Sequence, residues 1–312
     1  MNRVVGIIVR YVLTLWVASV AVFALLRVVP GDPAEIALGV TATPELVAEK
    51  RAALGIDQPL LTQYGQWVKG MLTGDFGLSM TSGKDISELV LDRLQVSLIL
   101  VVCAIIVSLA IAIPMGSWAA RRHRHADGIA ITATSQVGIA IPSFLAGIVL
   151  VTVFAVKLGW VPANGWVPPN VSFTGFLSRL FLPVMALAAV QSAIMTRYVR
   201  SAVLNILSED FIRTARAKGL TTKQALRRHG LRNAALPVVT VTGLQLATVV
   251  VGAVVIERVF VLPGIGTMLL DAVTTRDLLT VQTIVMLLVA FTIIVNLVVD
   301  LLYVVLDPRI RS

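Results

Sequence analysis

Six stretches of this chain are apolar over lengths that suit the hydrocarbon of a bilayer, about 30 Å or roughly 20 helical residues. They are Tyr11–Leu26, Val96–Ala120, Ile129–Val156, Leu180–Thr196, Ala234–Ile256 and Leu278–Leu306. Inside hydrocarbon every backbone N–H and C=O must be satisfied by the segment itself, and a helix does this without a neighbour. The fold class that follows is an all-α polytopic membrane protein with six transmembrane helices. The first and fourth runs are short, but Arg10, Tyr11 and Arg27, and Arg179 and Arg197, can reach the interfaces from their ends. With 57% apolar and only 14% charged residues among 312, the composition leaves no room for a separate soluble domain of ordinary make-up.

Six spans place both termini on one side, together with the loops Arg121–Asp127 and Arg197–Arg232. Those segments carry 16 of the lysines and arginines, among them Arg3, Arg121, Arg122, Arg124, Arg200, Arg309 and Arg311. The long Val28–Gln95 loop carries five against nine carboxylates. The positive-inside rule then puts both termini in the cytoplasm and the 28–95 loop outside. The net charge of +9 is a product of that asymmetry, and no nucleic-acid surface is needed to explain it. Arg3 and Arg10 precede the first run as in a signal peptide. Arg27-Val28-Val29-Pro30 follows where a small-x-small site would be, so an uncleaved first span is expected. Cys103 lies mid-span and forms no internal disulfide. His123, His125 and His229 all fall in basic loops, make no convincing nucleophile–base set, and two histidines alone make a poor metal site, so neither a metal centre nor a catalytic residue is expected.

The 28–95 loop opens with Pro30-Gly31-Asp32-Pro33. Thr43 is placed to cap a helix over Pro44–Leu54 that stops at Gly55, and a second amphipathic stretch covers Leu60–Leu72. Gly74-Asp75-Phe76-Gly77 reads as a turn, and Asp85–Leu94 leads into the second span. A piece of this size folds only against the membrane part or a partner. It is either a structural cap or a docking surface.

The most patterned polar segment is Ser208–Asn233. Ser208 suits an N-cap with Glu209 and Asp210 in the first turn, and Phe211, Ile212, Ala215 and Leu220 suit one apolar face. Gly219 is a natural stop, and Thr221 with Gln224 has the spacing of a capping box. Gly230 is then expected to end a second short helix, with Asn233 capping the next span and Pro237 near its first turn. The result is two short helices about a glycine bend, displaying Arg213, Arg216 and Lys218. Such cations could simply hold anionic headgroups. The punctuation favours a socket for a partner.

Ala215-Arg216-Ala217-Lys218-Gly219 followed by Arg228-His229-Gly230-Leu231-Arg232-Asn233 resembles the EAA loop of binding-protein-dependent ABC importer permeases, in the branch that imports dipeptides, oligopeptides or nickel. The resemblance runs along nearly the whole chain: Pro30-Gly31-Asp32-Pro33-Ala34, Leu54-Gly55 with Gln58-Pro59, Gly74–Ser79, Pro142-Ser143-Phe144, Trp160 with Pro162, and Glu257 with Phe260, Pro263-Gly264 and Gly266. The Glu and first Ala of the general EAA pattern correspond here to Arg213 and Thr214, and its terminal proline to Arg232.

The resemblance implies a type I ABC importer permease fold, with a second homologous permease subunit, two ABC ATPase subunits and an external substrate-binding protein as partners. It implies an inner-membrane location. Its parts are an N-terminal helix (1–27), an external region (28–95), a five-helix core (96–306) containing the coupling element (208–233), and a cytoplasmic tail (307–312). Asp210, Arg213, Ala215, Arg216, Lys218, Gly219 and His229 would face the ATPase. The chain has no GxxxxGK[ST] loop, so ATP and Mg belong to that partner, and no cofactor is expected on this chain. The polar groups within the spans, Ser135, Gln136, Gln191, Ser192, Gln245 and Thr248 with a kink at Pro142, are the candidate translocation path, or else hold helices together. Glu257, Phe260, Pro263, Gly264 and Gly266, around a tight turn at Pro263–Gly266, are the candidate external dock or gate. Asp300, the one acid well inside a span, is expected to be paired or hydrated. A proton-coupled carrier is the competing class, with a non-transporting scaffold or sensor as a third. Nickel chelate or haem competes with peptide as cargo.

Overall fold

The computed structural model describes residues 2–28, 32–39 and 42–306. Pro30, Gly31 and the 307–312 tail with Arg309 and Arg311 lie outside them, as do the side chains of Arg3 and Arg232. The described residues form helices joined by turns: α1 (Asn2–Val28), α2 (Pro33–Leu38), α3 (Pro44–Leu54), α4 (Leu60–Thr73), α5 (Ser87–Arg121), α6 (Ala126–Ala140), α7 (Ser143–Leu150), α8 (Phe173–Leu207), α9 (Asp210–Ala217), α10 (Thr222–Ala225), α11 (Leu231–Val259), α12 (Ile265–Thr274) and α13 (Leu278–Leu306).

Among the described residues five helices are long and apolar enough to cross a membrane: Val4–Val28, Ser87–Arg121, Phe173–Leu207, Asn233–Val259 and Leu278–Leu301. The first and fourth apolar runs are short only in hydropathy. Their helices have 27 and 35 residues, or about 40 and 52 Å of rise. Arg179, Arg197 and Arg200 are simply helical residues of α8 beyond the hydrocarbon-length part.

The third run is broken, not merely kinked, at Ile141–Pro142. It is two helical pieces, Ala126–Ala140 and Ser143–Lys157, bent by 100°. Each piece rises about 22 Å, less than the hydrocarbon thickness. The break has a backbone cause. Ile141 is extended, with its N–H on the Gly138 carbonyl at 3.4 Å, and Pro142 (φ −61°, ψ 141°) opens the next helix in the conformation proline imposes. The second piece continues from α7 as π-helical turns over Val151–Lys157.

The chain divides into two compact units, Met1–Ser97 with Pro263–Ile294, and Leu98–Leu262 with Val295–Ser312. The helices α5 and α13 contribute to both.

In the first unit α3 has the ends that its punctuation predicts. Thr43 caps α3 by accepting from the Leu46 N–H, and Gly55 stops it at φ 64°. Asp32 caps the unforeseen α2 through the Ala34 N–H and is bonded by Arg51. Burial alone would raise the Asp32 pKa, but the Arg51 bond and the Ala34 N–H hold it below the usual carboxylate value. Phe23, Tyr64 and Trp67 pack ring on ring, and Ile86, Val90, Ile265, Met268 and Ile284 form an apolar cluster. The N-terminus of α12 is satisfied by Ser97, whose Oγ accepts from the Ile265 N–H at 2.8 Å.

In the second unit α8 packs against α6, α7 and α11. Small residues set the spacing. A Cβ at Gly116 would lie 2.7 Å from Val199 Cβ and 2.8 Å from the Thr196 carbonyl, and one at Gly138 would lie 2.9 Å from Ala193 Cβ. Gly147 similarly meets Phe260, and Gly252 meets Leu187. Gly116 and Gly138 thus mark close helix approaches of the small-residue type used in membranes.

Candidate functional site

The 208–233 element folds from its own caps. Ser208 does not start α9. It closes α8, its hydroxyl donating to the Asn205 carbonyl at 2.6 Å, and Glu209 holds the N-cap position in extended conformation. Lys218 closes α9, and Gly219 follows at φ 91°. The Leu220 N–H reaches back to the Ala215 carbonyl at 3.2 Å and the Gly219 N–H to Arg216 at 3.0 Å. That pair of bonds is a Schellman motif, which demands a left-handed residue at Gly219. Two residues on, Thr221 and Gln224 form the reciprocal capping box that starts α10.

Beyond α10 the sequence expectation fails. Gly230 does not end a helix and Asn233 does not cap one. Thr222–Ala225 runs on through π-helical turns over Leu226–Gly230 into α11. Gly230 sits at φ −95°, ψ −36°, so it never uses the left-handed freedom that makes glycine a stop signal. Its missing side chain is used for packing, since a Cβ there would lie 2.8 Å from Leu226 and 2.9 Å from Ile206. Pro237 is therefore inside α11 and not near the start of a helix.

The element is anchored on one side and open on the other. Ile212, Ala215 and Ala225 are buried together with Ile206, Leu207 and Leu220. Phe211, expected on that face, is exposed at 37%. Arg213, Arg216 and Lys218 are exposed, as are Asp210 and His229. Arg213 Nη1 lies 3.2 Å from Asp210 on a fully wet surface, where such a pair contributes little. Arg213, Arg216, Gly219, Leu220, Thr221 and Thr222 line a shallow cleft of about 550 Å³. The element is thus a small rigid knob whose shape is fixed by backbone bonds, with cations around a cleft and no catalytic set.

The intramembrane polar residues separate into two groups. Ser135, Gln191 and Ser192 are buried, and both serine hydroxyls bond back to their own helices, on Ile131 and Ala189. Gln136, Pro142 and Thr248 are exposed and Gln245 is half-buried.

The Glu257–Gly266 segment is built differently from expectation. Pro263–Gly266 is not a tight turn: Gly264 is the N-cap of α12, and Ile265 and Gly266 are its first residues. The reversal lies earlier, at Val261. The Leu262 N–H bonds the Glu257 carbonyl at 2.8 Å, closing a second Schellman end with Val261 at φ 53° in the glycine position. Glu257 and Phe260 are each 1% exposed, so their side chains serve the interior of this unit. A β-branched residue in the left-handed region costs about 1–2 kcal/mol, part of it offset by glycine's greater freedom when unfolded. Val261→Gly should raise the thermal midpoint of the detergent-purified chain by about 1–2 °C. A lower midpoint would mean that the 63% exposed valine makes a contact worth more than the strain.

One residue of this kind left no sequence signal. Asp277, 4% exposed at the start of α13, accepts from Ser79 Oγ at 2.5 Å, the Met80 N–H at 3.1 Å, Thr81 Oγ1 at 3.4 Å and the Thr280 N–H at 3.3 Å. It caps α13 and pins the Ser79–Thr81 loop in the same unit.

Comparison with known proteins agrees with this architecture. The family model "Binding-protein-dependent transport system inner membrane component" matches residues 112–312, and its N-terminal companion, "Binding-prot-dependent transport system membrane comp, N-term", matches residues 1–101. The chain is 36% identical over 293 residues to the "Probable peptide ABC transporter permease protein y4tP" of Sinorhizobium fredii (strain NBRC 101917 / NGR234), covering 94% of each. It is 37% identical over 318 residues to the "Glutathione transport system permease protein GsiC" of Escherichia coli (strain K12), covering 100% of this chain and 99% of that one. Among solved structures, an amino acid ABC transporter with histidines shares the fold, with TM-score 0.53 at 16% identity over 70% of this chain and 94% of that one.

Proposed function

The chain belongs to the binding-protein-dependent transport system inner membrane component family, and from that premise we propose that it is the permease subunit of an ATP-driven importer of peptides, coupled to its motor through the 210–230 element. It is a multi-pass inner-membrane protein and one subunit of a larger transporter. The observation that carries the coupling role is the element itself: a knob held by a Schellman motif and a capping box, anchored by Ile212 and Ala215, with Arg213 and Arg216 exposed around a cleft. Its partner in this reading is an ABC ATPase subunit, which supplies the ATP and Mg chemistry. A second permease subunit completes the path, and an external binding protein delivers cargo.

Orientation follows from charge. The 122–125 turn and the 210–230 element are both strongly basic, so both belong on the cytoplasmic side. The chain between them must then cross twice, once as α8 and once as the bent α6–α7 pair, which makes six crossings and puts both termini in the cytoplasm. Gln136, Gln245 and Thr248, exposed or half-buried on this chain, are its contribution to the path. Ser135, Gln191 and Ser192 support it from within.

Peptide is favoured over nickel chelate or haem because named relatives at 36–37% identity over nearly full length carry peptide or glutathione in their descriptions. The coupling role is tested by placing a cysteine at exposed Arg216 after replacing Cys103 with alanine. A short thiol–amine cross-linker should then join the chain to its ATPase subunit, and Arg276→Cys in the same background should not. Equal cross-linking at both positions, or none at Arg216, contradicts the assignment.

A further inference from the structure

Arg27, at the end of α1 in the first unit, is a half-buried cation held only by neutral groups. Its guanidinium lies over the Phe23 ring at 3.8 Å. Nη1 donates to Gln282 Oε1 at 2.7 Å and Nη2 to Gln63 Oε1 at 2.9 Å. The direction of the Gln63 amide is fixed, because its Nε2 donates to the Ile56 and Gln58 carbonyls at 3.1 and 2.8 Å. Gln282 is 1% exposed. No carboxylate among the described residues pairs with Arg27. Asp32, on a wall that Arg27 shares, is taken by Arg51. A guanidinium has five N–H donors, and these bonds use two of them.

Arg27 also lines two adjoining cavities of about 410 and 350 Å³ within this unit, which share Gln63 and Gln282 in their walls. Cavities of this size take small organic ligands. The charged residues of the larger are Arg27, Lys69 and Asp75, two cations and one carboxylate, so its lining carries one net positive charge. Trp67 is part of the same wall, and its indole N–H is buried without an acceptor. Two neutral amides that accept from a guanidinium leave its charge uncompensated and fix the direction of its remaining donors. That arrangement suits an exchangeable counter-ion better than a resident one.

We infer that the Arg27 cavity is a binding site for the carboxylate of a small organic acid, the C-terminal carboxylate of a peptide in particular. The planar fork of arginine matches a carboxylate in two-point geometry. A single net positive charge compensates a monoanion and leaves a phosphate dianion half-neutralised. The carboxylate chemistry comes from the cavity alone; the choice of a peptide as its bearer rests on the import reading above.

The test is calorimetric titration of the full chain, co-purified with its partner subunits in nanodiscs. The titrants are the dipeptide Ala-Phe, its C-terminal amide and glycerol 3-phosphate. The free acid should bind at least about tenfold more tightly than the amide, the size of one charge-assisted hydrogen-bonded pair. Arg27→Gln should bring that ratio close to one, and Arg27→Lys, which keeps charge but loses the fork, should fall between. The acid-to-amide ratio is internal to each variant, and co-elution with the partner subunits reports assembly; if Arg27→Gln does not assemble, Arg27→Lys alone decides. Equal binding of acid and amide, a ratio unchanged by Arg27→Lys, no binding of the acid, or tighter binding of glycerol 3-phosphate overturns the inference, the last in favour of a lipid-headgroup site. Absence of ATP-driven uptake for every peptide, with this titration intact, would instead sink the import reading and leave the site standing.

Discussion

Replacing Gly219 with valine is expected to abolish most of the peptide-stimulated ATP hydrolysis of the assembled transporter while leaving the subunits together. The space around Gly219 is open, with nothing within 4 Å of a Cβ, so the effect is not a collision. It is conformational: at φ 91° a β-branched residue is strained by at least about 1–2 kcal/mol. That strain falls on the two Schellman bonds, Leu220 to Ala215 and Gly219 to Arg216, that set the angle between α9 and the Thr221–Gln224 box. A loss of this size lowers the ratio of correctly bent to unbent element about five- to thirtyfold. Ala215→Leu should act on the same property from the buried side. Ala215 is 7% exposed against Ile212 and Ala225, and the added carbons cost about 1–3 kcal/mol of overpacking and push α9 outward. Arg216→Ala separates charge from shape, since it removes one exposed cation of the cleft and leaves the backbone alone. Were Arg216→Ala damaging and Gly219→Val harmless, individual contacts would matter and the shape of the element would not. Vanadate-sensitive hydrolysis with and without peptide separates these cases.

The second large effect is expected at Asp277. Its carboxylate is the shared acceptor for Ser79, Met80 and Thr280 in a buried place. Asp277→Ala leaves the Met80 and Thr280 N–H groups without partners, at about 1–3 kcal/mol each where water cannot replace them, and leaves the Ser79 hydroxyl with Thr81 alone as an acceptor. Freed from its pin, the Ser79–Thr81 loop should open and expose the chain around Lys84, which is already on the surface. Tryptic cleavage after Lys84 should become at least tenfold faster in the purified protein, the equivalent of about 1.4 kcal/mol of local opening. Asp277→Asn keeps one oxygen acceptor and should lie between. Unchanged cleavage in the alanine variant would show that the loop is held by other contacts, the Met80 sulfur on the Leu279 N–H being the nearest candidate.

Local punctuation makes much of this legible in the sequence itself. Thr43 with Gly55, Thr221 with Gln224, and Gly219 each act within a few residues of themselves, so the sequence predicts where α3 starts and stops and where α9 turns into α10. Hydropathy was a poorer guide to helix length. It marks the part of a helix that suits hydrocarbon, and α8 runs well past both ends of its apolar run. Pro142 was visible as a break but not as a 100° one, because the bend depends on an extended Ile141 as well as on the proline ring. Gly230 misled for a related reason: glycine is permissive, and packing against Ile206 and Leu226 uses its small size where a stop would use its φ freedom. Val261 and Arg276, both at positive φ, occupy cap positions that no propensity rule assigns to them. Asp277 and Arg27 are illegible because each is fixed by a partner far away in sequence, Ser79 at 198 residues and Gln282 at 255.

In the proposed function this chain carries peptide in a complex driven by ATP through the 210–230 element. The most direct measurement is uptake of a radiolabelled dipeptide into proteoliposomes holding the chain with its partner permease, ATPase and binding protein. With hydrolysable ATP on the side of the basic loops, the peptide should accumulate above its external concentration, and Gly219→Val should remove that accumulation. Accumulation driven by a proton gradient without ATP, and indifferent to Gly219→Val, would contradict it.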